Sequence, residues 1–327
     1  MQPTPAQPRR TVVTGSAGFI GSHLCRVLLD QGETVIGVDR RDPDTDPAAA
    51  AALAPLIGHP RFVPVTADLS TCPLDALLLD TDTVFHLAAI PGVRPSWGPR
   101  FPQYVDANLH VPQRLMDTAI RLQVPNVVVA SSSSVYGRTN GAPSNETDSP
   151  RPASPYAVTK LATEQLCLAH AAREDSRTRV TALRYFTVYG PGQRPDMFIH
   201  RVLRAALQGQ PVQIYGDGRQ RRDFTHVDDA VRATIAAARV DHGQPVFNVG
   251  GGSSADLAAV LDHVERLTGA PVPVTRSKSR AGDVPATLAD PTRIRSCLGW
   301  NPEHTLESGI TSQWREQRAA YESPLAV

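Results

Sequence analysis

Arg10-Thr11-Val12-Val13-Thr14-Gly15-Ser16-Ala17-Gly18-Phe19-Ile20-Gly21-Ser22-His23-Leu24-Cys25-Arg26-Val27-Leu28-Leu29 decides the fold. Its first five residues form a short β-branched run that reads as a buried strand, and the apolar spacing from Ser22 onward is helical. Between them stand glycines 15, 18 and 21, spaced G-x-x-G-x-x-G. In a strand-to-helix turn each has a physical reason. Gly15 permits the tight turn, Gly18 lets backbone approach a pyrophosphate, and Gly21 allows close helix packing, with the helix N-terminus facing the anion. Elsewhere such a triplet is an ordinary turn; here it predicts a dinucleotide-binding unit. The next strand, Thr34-Val35-Ile36-Gly37-Val38, ends in Asp39, an acid placed for both hydroxyls of an adenosine ribose. A carboxylate there repels a 2′-phosphate, which favours NAD over NADP. Arg40 and Arg41 read either as solvated loop charges or as partners for such a phosphate.

The alternation continues, with strands expected at 61–65, 83–87, 126–130 and 179–184 and helices at 101–122 and 155–172. That rhythm implies an α/β fold, a Rossmann-type doubly wound parallel sheet. Beyond about residue 190 it becomes irregular: helices near 196–208, 227–240, 254–268 and 303–319 alternate with short extended pieces such as Val212-Gln213-Ile214-Tyr215. The expected organisation is a disordered tail at 1–9, an NAD-binding domain at 10–190 and a smaller substrate lobe at 191–327, with some exchange of strands and helices between the two. The alanine run at 48–54 reads as a short helix or a variable loop.

With 33 basic and 32 acidic residues in 327, the net charge of +1 offers no pull toward nucleic acid or a membrane. No window approaches about 18 uninterrupted apolar residues. Cys25, Cys72, Cys167 and Cys297 are scattered without metal-ligand spacing, which reads as reduced packing thiols in a cytoplasmic protein and predicts no metal.

Tyr156-Ala157-Val158-Thr159-Lys160 places a phenol and an ammonium on one helix face, one turn apart. A free tyrosine has a pKa near 10, so lysine and a cationic nicotinamide together must favour phenolate by about 3 units, roughly 4 kcal/mol. A bare Tyr-x-x-x-Lys equally describes a half-buried tyrosine beside a solvated lysine. The serine run Ser131 to Ser134 adds context, because it follows a predicted strand end, where ligands of such sheets bind.

Several motifs stand in a shared order: Thr14 to His23, Ala67-Asp68-Leu69, His86-Leu87-Ala88-Ala89, Ser131-Ser132-Ser133-Ser134-Val135-Tyr136-Gly137 and Tyr156-x-x-x-Lys160. They are followed by Arg184-Tyr185-Phe186-Thr187-Val188-Tyr189-Gly190-Pro191, Gly216-x-Gly218-x-x-x-Arg222-Asp223-Phe224 and Arg280-Ala281-Gly282-Asp283. Together they resemble the extended short-chain dehydrogenase/reductase family, the nucleotide-sugar epimerases and dehydratases, over nearly the whole chain. The resemblance implies NAD held by Gly15, Gly18, Phe19, Ile20, Gly21, Asp39 and Arg40. Asp68 and Leu69 would cap the adenine, Leu87, Ala88 and Ala89 would line the pyrophosphate channel, and Asn108, Ser131 and Tyr185 would lie near the cofactor. The Gly-Thr that usually follows the asparagine is replaced here by Pro112 and Gln113. Tyr156 would be the base, Lys160 would hold the nicotinamide ribose, and Ser132 would bind the sugar O4. Arg222 and Arg280 would clamp a diphosphate, with Arg94, Gln213, Tyr215 and Asp283 beside it. A homodimer through a four-helix bundle is also implied, in which Leu109, Leu115, Met116, Leu161 and Leu166 serve either that interface or the internal core.

The resemblance also narrows the reaction. The family's dehydratases carry an acidic pair where this chain has Ser133 and Ser134, and serines cannot supply the carboxylates that eliminating water needs. What remains is return of hydride to the other face of a 4-keto sugar, which is 4-epimerisation. Phe186-Thr187-Val188-Tyr189-Gly190-Pro191 with Arg194-Pro195-Asp196-Met197 resembles the UDP-glucuronate 4-epimerases, where the hexose epimerases have asparagine at the position of Thr187. Thr187, Arg194, Ser133 and Ser134 would then hold the uronate carboxylate. UDP-glucose/UDP-galactose epimerisation is the alternative, followed by decarboxylation or dehydration. A non-catalytic NAD-binding regulator would be expected to lack Tyr156 or Lys160, and both are present.

Overall fold

The computed structural model describes residues 8–239, 241, 243–278 and 282–322. Most of the expected tail, residues 1–7, and the predicted diphosphate ligand Arg280 lie outside the described residues. Backbone pairing begins at Arg9, whose carbonyl accepts the Thr34 N–H at 2.8 Å.

The strands are β1 (Arg10–Thr14), β2 (Thr34–Asp39), β3 (Phe62–Thr66), β4 (Thr83–His86), β5 (Asn126–Ser132), β6 (Arg179–Tyr185), β7 (Thr187–Tyr189), β8 (Val212–Tyr215), β9 (Arg221–His226), β10 (Val246–Val249), β11 (Ser254–Asp256) and β12 (Val274–Ser277). Seven of them form a parallel sheet in the order β10-β6-β5-β4-β1-β2-β3. The chain runs outward from β1 to β3 and returns to β4 beside β1, so the order reverses between β1 and β4, and a crevice opens beyond their carboxyl ends. Helices cover both faces, which is why the inner strands are buried along most of their length rather than alternating, while the edge strand β3 is largely exposed. On one face Leu24, Cys25 and Leu28 of helix Phe19–Asp30 pack with Val13, Val35 and Phe85; on the other, Leu115, Met116 and Ala119 pack with Val12, Val84 and Val127.

Leu115 and Met116 are therefore internal core, at most 1% exposed, whereas Leu109, Leu161 and Leu166 are half-buried. The helix expected at 101–122 is interrupted. It runs as α-helix over Phe101–Val105, widens to a π-turn at Asp106–His110, and resumes over Val111–Arg121. Pro112 supplies the reason, since it has no N–H for the Asn108 carbonyl four residues earlier. The Thr163 hydroxyl donates to that carbonyl instead.

After residue 190 the chain does not simply leave the first domain. β10 completes the large sheet, and helix Val227–Arg239 packs against helix Phe19–Asp30. The remaining strands form two small sheets, β11-β9-β7 and β12-β8, around Tyr189, Ile199, Leu203, Val260 and Ile310. The alanine run is a short helix, Pro47–Leu53, capped by Asp46, which accepts from the Ala48 and Ala49 N–H groups. No described helix is long and apolar enough to cross a membrane.

Candidate active site

The crevice floor is built from the two switch-point strands. Thr14 and His86 share a 2.8 Å hydrogen bond, and the Thr14 hydroxyl and carbonyl accept the N–H groups of Ala88 and Leu87, both at 3.2 Å. Burial pushes His86 down to about 3, so it is a neutral strut. The glycine turn packs on this floor. Gly15 has φ +75°, and a Cβ there would stand 2.9 Å from the Ala88 nitrogen; one on Gly21 would stand 2.1 Å from the Gly15 carbonyl oxygen. Backbone meets backbone at both places, so neither can yield. Helix Phe19–Asp30 starts without a side-chain cap, and the buried Ser16 hydroxyl has no partner. A Cβ-free cradle, an uncapped helix start and an orphan hydroxyl fit a dinucleotide pyrophosphate.

The adenosine side is equally constrained. Asp39 accepts the Ala17 N–H at 3.1 Å, while Arg40 is exposed. Asp68 accepts the Ser70 hydroxyl and N–H at 2.7 and 2.8 Å, and those bonds hold its carboxyl below the usual range. Arg114, which no motif points to, donates to the carbonyls of Leu69 and Cys72 and clamps this loop.

Ser132 ends β5, and Tyr156 and Lys160 lie on helix Pro155–Ala171, capped by Ser154 and opened by Pro155. The Tyr156 phenol lies beside Ser132, whose hydroxyl donates to the Ser134 hydroxyl at 3.1 Å. Three hydroxyls thus stand in a row from Tyr156 into the serine run. The buried ring of Tyr104 meets Tyr156 edge-on, with centroids 6.3 Å apart. Burial pushes the Tyr156 phenol up, while the Ser132 hydrogen bond and then the Arg194 charge draw it back. Lys160, 4% exposed, is pushed down to about 8 by burial, against the charge of Glu164. Desolvation opposes phenolate and ammonium alike.

Three residues expected near the cofactor have side chains bonded to protein. Asn108, 1% exposed, accepts the Ile90 N–H at 2.9 Å and donates to the Ile90 carbonyl and to Thr159, tying the loop after β4 to helix Pro155–Ala171. The Ser131 hydroxyl donates to Glu164 at 2.7 Å. Tyr185, 7% exposed, bonds Thr234 at 2.7 Å, which leaves only its backbone at the end of β6 for a ligand. Behind them Arg184 grips Glu164 through Nε at 3.0 Å and Nη2 at 2.6 Å, and reaches the Tyr136 hydroxyl at 2.9 Å.

On the substrate side, the Arg94 guanidinium lies 4.0 Å from the Tyr215 ring centroid and pairs with Asp283 at 3.1 Å. Half-buried Arg222 joins them: burial and then the Arg94 charge lower its pKa, and Asp283 opposes this. Gln213 accepts the Tyr215 hydroxyl at 2.8 Å. Thr187 opens β7, and Ser133 and Ser134 open the 3₁₀ turn after β5. Arg194 pairs with Asp196 through two 2.9 Å hydrogen bonds. Elsewhere His226, Asp228 and His304 gather as possible metal ligands, but the two imidazoles stack at 4.0 Å and 21°. Their in-plane lone pairs run side by side and do not converge on one ion.

The chain is similar to known proteins over most of its length. An uncharacterised UDP-glucose epimerase of Bacillus subtilis, YtcB, is 40% identical over 308 residues, covering 93% of this chain and 96% of that one. MoeE5, solved with UDP-glucuronic acid and NAD, superposes with a TM-score of 0.88 at 47% identity, over 95% of this chain and 99% of its own. The Bacillus cereus UDP-glucuronic acid 4-epimerase with UDP-glucuronic acid and NAD gives 0.90 at 37%, over 95% and 100%. The sequence model of the NAD dependent epimerase/dehydratase family matches residues 11–250, from the first strand to the last strand of the large sheet. Cradle, catalytic helix and the motifs of β6 and β9 all fall inside that match, and the chain belongs to the NAD-dependent epimerase/dehydratase family.

Proposed function

We propose that this protein is an NAD-dependent 4-epimerase of a UDP-sugar that takes UDP-glucuronate in preference and interconverts it with UDP-galacturonate. The observation that carries the reading is the placement of Tyr156 beside Ser132, which bonds Ser134, within reach of the Arg194 charge. It sets a base for the sugar 4-hydroxyl beside hydroxyls and a cation, with no acid at 133 or 134. Bound NAD supplies a reversible hydride acceptor for C4. Tyr156 as phenolate takes the 4-hydroxyl proton and later returns it, Ser132 orients that oxygen, and the Lys160 ammonium keeps the phenol acidic. Without carboxylates after Ser132, elimination of water across C5 and C6 lacks its acid and base. A 4-keto uronate is a β-keto acid, which loses CO2 when the breaking bond stands perpendicular to the carbonyl plane. A clamp from Thr187, Ser133, Ser134 and Arg194 opposes that alignment while the ring turns.

A neutral UDP-hexose is the second reading. It is favoured by Arg194 being already paired with Asp196, and by the name of the B. subtilis relative. The half-buried Leu109, Leu161 and Leu166, with Val158 48% exposed between Tyr156 and Lys160, support a homodimer through these helices. Four free cysteines suit the reducing cytoplasm.

Incubation with UDP-glucuronate, UDP-glucose and dTDP-glucose in separate tubes, with products identified by NMR, tests the reading. UDP-galacturonate is the expected product. A UDP-pentose, or a galactose product without uronate turnover, overturns it. Thr187→Asn is expected to lower kcat/KM for UDP-glucuronate by about 10- to 100-fold, the loss of one hydrogen bond to a charged group, and to spare UDP-glucose. Equal loss on both substrates removes Thr187 from specificity.

A further inference from the structure

The acid at the end of β2 is held by a ring of contacts that no motif describes. Asp39 Oδ2 accepts the Ala17 N–H at 3.1 Å, and Oδ1 accepts the Arg41 N–H at 3.0 Å. Arg41 closes the ring by donating from Nη2 to the Ala17 carbonyl at 2.5 Å, while its Nε lies 3.5 Å from Asp39 Oδ1. Ala17 belongs to the glycine turn, which is itself anchored where the Gly15 and Ser16 N–H groups donate to the Val38 carbonyl at 2.7 and 3.2 Å. Arg41 therefore fixes the acid and the phosphate-binding turn relative to each other. Arg40, by contrast, is exposed.

We infer that Arg41 is a coenzyme-positioning residue that sets the preference for NAD over NADP through Asp39. A carboxylate can serve a ribose diol only if its free lone pairs face the crevice. Here one edge of each oxygen is already engaged by the ring, which leaves the others directed away from it. An unpaired arginine next to the ribose would attract a 2′-phosphate. This one is paired with Asp39 through Nε, and its Nη2 is engaged by the Ala17 carbonyl, so the same cation serves selection against the phosphate. Arg41 becomes a phosphate ligand only when Asp39 is removed. The inference rests on the dinucleotide reading of the cradle and not on the choice of sugar.

Calorimetric titration of the nucleotide-stripped, full-length protein with NAD+ and NADP+ tests it without any turnover. The Arg41 side chain is 36% exposed, so its loss leaves the core intact, and a thermal unfolding curve checks that for each variant. Arg41→Leu is expected to raise the Kd for NAD+ by about tenfold, the scale of one charge-assisted hydrogen bond, and to leave NADP+ binding as weak as before. Asp39→Ser is expected to invert the preference, with NADP+ binding more tightly than NAD+. Adding Arg41→Leu to Asp39→Ser is expected to abolish that NADP+ gain. Two results would each overturn the proposal: unchanged NAD+ affinity in Arg41→Leu, or an NADP+ gain in Asp39→Ser that survives the loss of Arg41. Because binding alone is read, the sugar assignment can fail while this result stands, and the reverse.

Discussion

Tyr156→Phe is expected to lower turnover of the UDP-sugar by about 10³-fold, the middle of the range for losing a positioned acid–base group, while both ligands still bind. The ring stays, so its edge-on contact with Tyr104 and the packing of helix Pro155–Ala171 survive. Only the proton acceptor and its bond to Ser132 go. The pH profile distinguishes this from a packing defect. Burial raises the phenol, and the Ser132 hydroxyl and then the Arg194 charge lower it, so turnover in the parent is expected to rise with pH as phenolate forms. Removing a cation from its surroundings disfavours phenolate, and Lys160→Met is therefore expected to move that rising limb upward by about 1–3 pH units. In Tyr156→Phe the limb vanishes. A residual rate that keeps the parent's pH profile would show that another group is the base.

Glu164→Gln is expected to lower stability by about 3–5 kcal/mol, measured by urea unfolding, because it leaves the Arg184 charge buried and unpaired. Glu164 is fully buried and Arg184 is 3% exposed, with two hydrogen bonds between them, so solvent offers the guanidinium no substitute. Glutamine matches the shape and can still accept the Ser131 hydroxyl and Arg184 Nε through its one oxygen, but its amide nitrogen faces Arg184 Nη2, so one acceptor is lost together with the charge. Glu164→Met with Arg184→Leu removes both charges and is expected to recover much of the loss. If Glu164→Gln unfolds at the parent's urea concentration, the pair does not brace the site. The pair matters because it joins the catalytic elements: Ser131 precedes Ser132 on β5, Glu164 lies one turn after Lys160, and Arg184 precedes Tyr185 on β6. Loss of the glutamate charge also removes a force that holds Lys160 protonated.

Asn108 illustrates how far motif matching reaches. It was expected near the cofactor, and the missing Gly-Thr after it was a departure without an evident meaning. Pro112 turns out to be that meaning, for it opens the π-turn that lets Asn108 tie Ile90 to Thr159. Leu115 and Met116 looked equally suited to a partner helix or to the core, because periodicity defines an apolar face but not what covers it. The packed sheet covers theirs. Arg40 and Arg41 are adjacent and chemically alike in the sequence, yet one is exposed and the other closes the ring around Asp39.

The sequence by itself determined what is local: the glycine turn between strand and helix, the acid ending β2, the tyrosine and lysine one helical turn apart, and the absence of acids after Ser132. Each depends on spacing within a few residues, where backbone geometry leaves little choice. Only the tertiary structure decided how those groups are held. The partners Asn108 and Thr159, Ser131 and Glu164, Arg184 and Glu164, and Arg41 and Ala17 are separated by 51, 33, 20 and 24 positions. A hydrogen bond across such a distance leaves no periodicity to read. It exists because a parallel sheet brings the ends of β1, β2, β4, β5 and β6 to one edge, where buried polar groups must find one another in place of water.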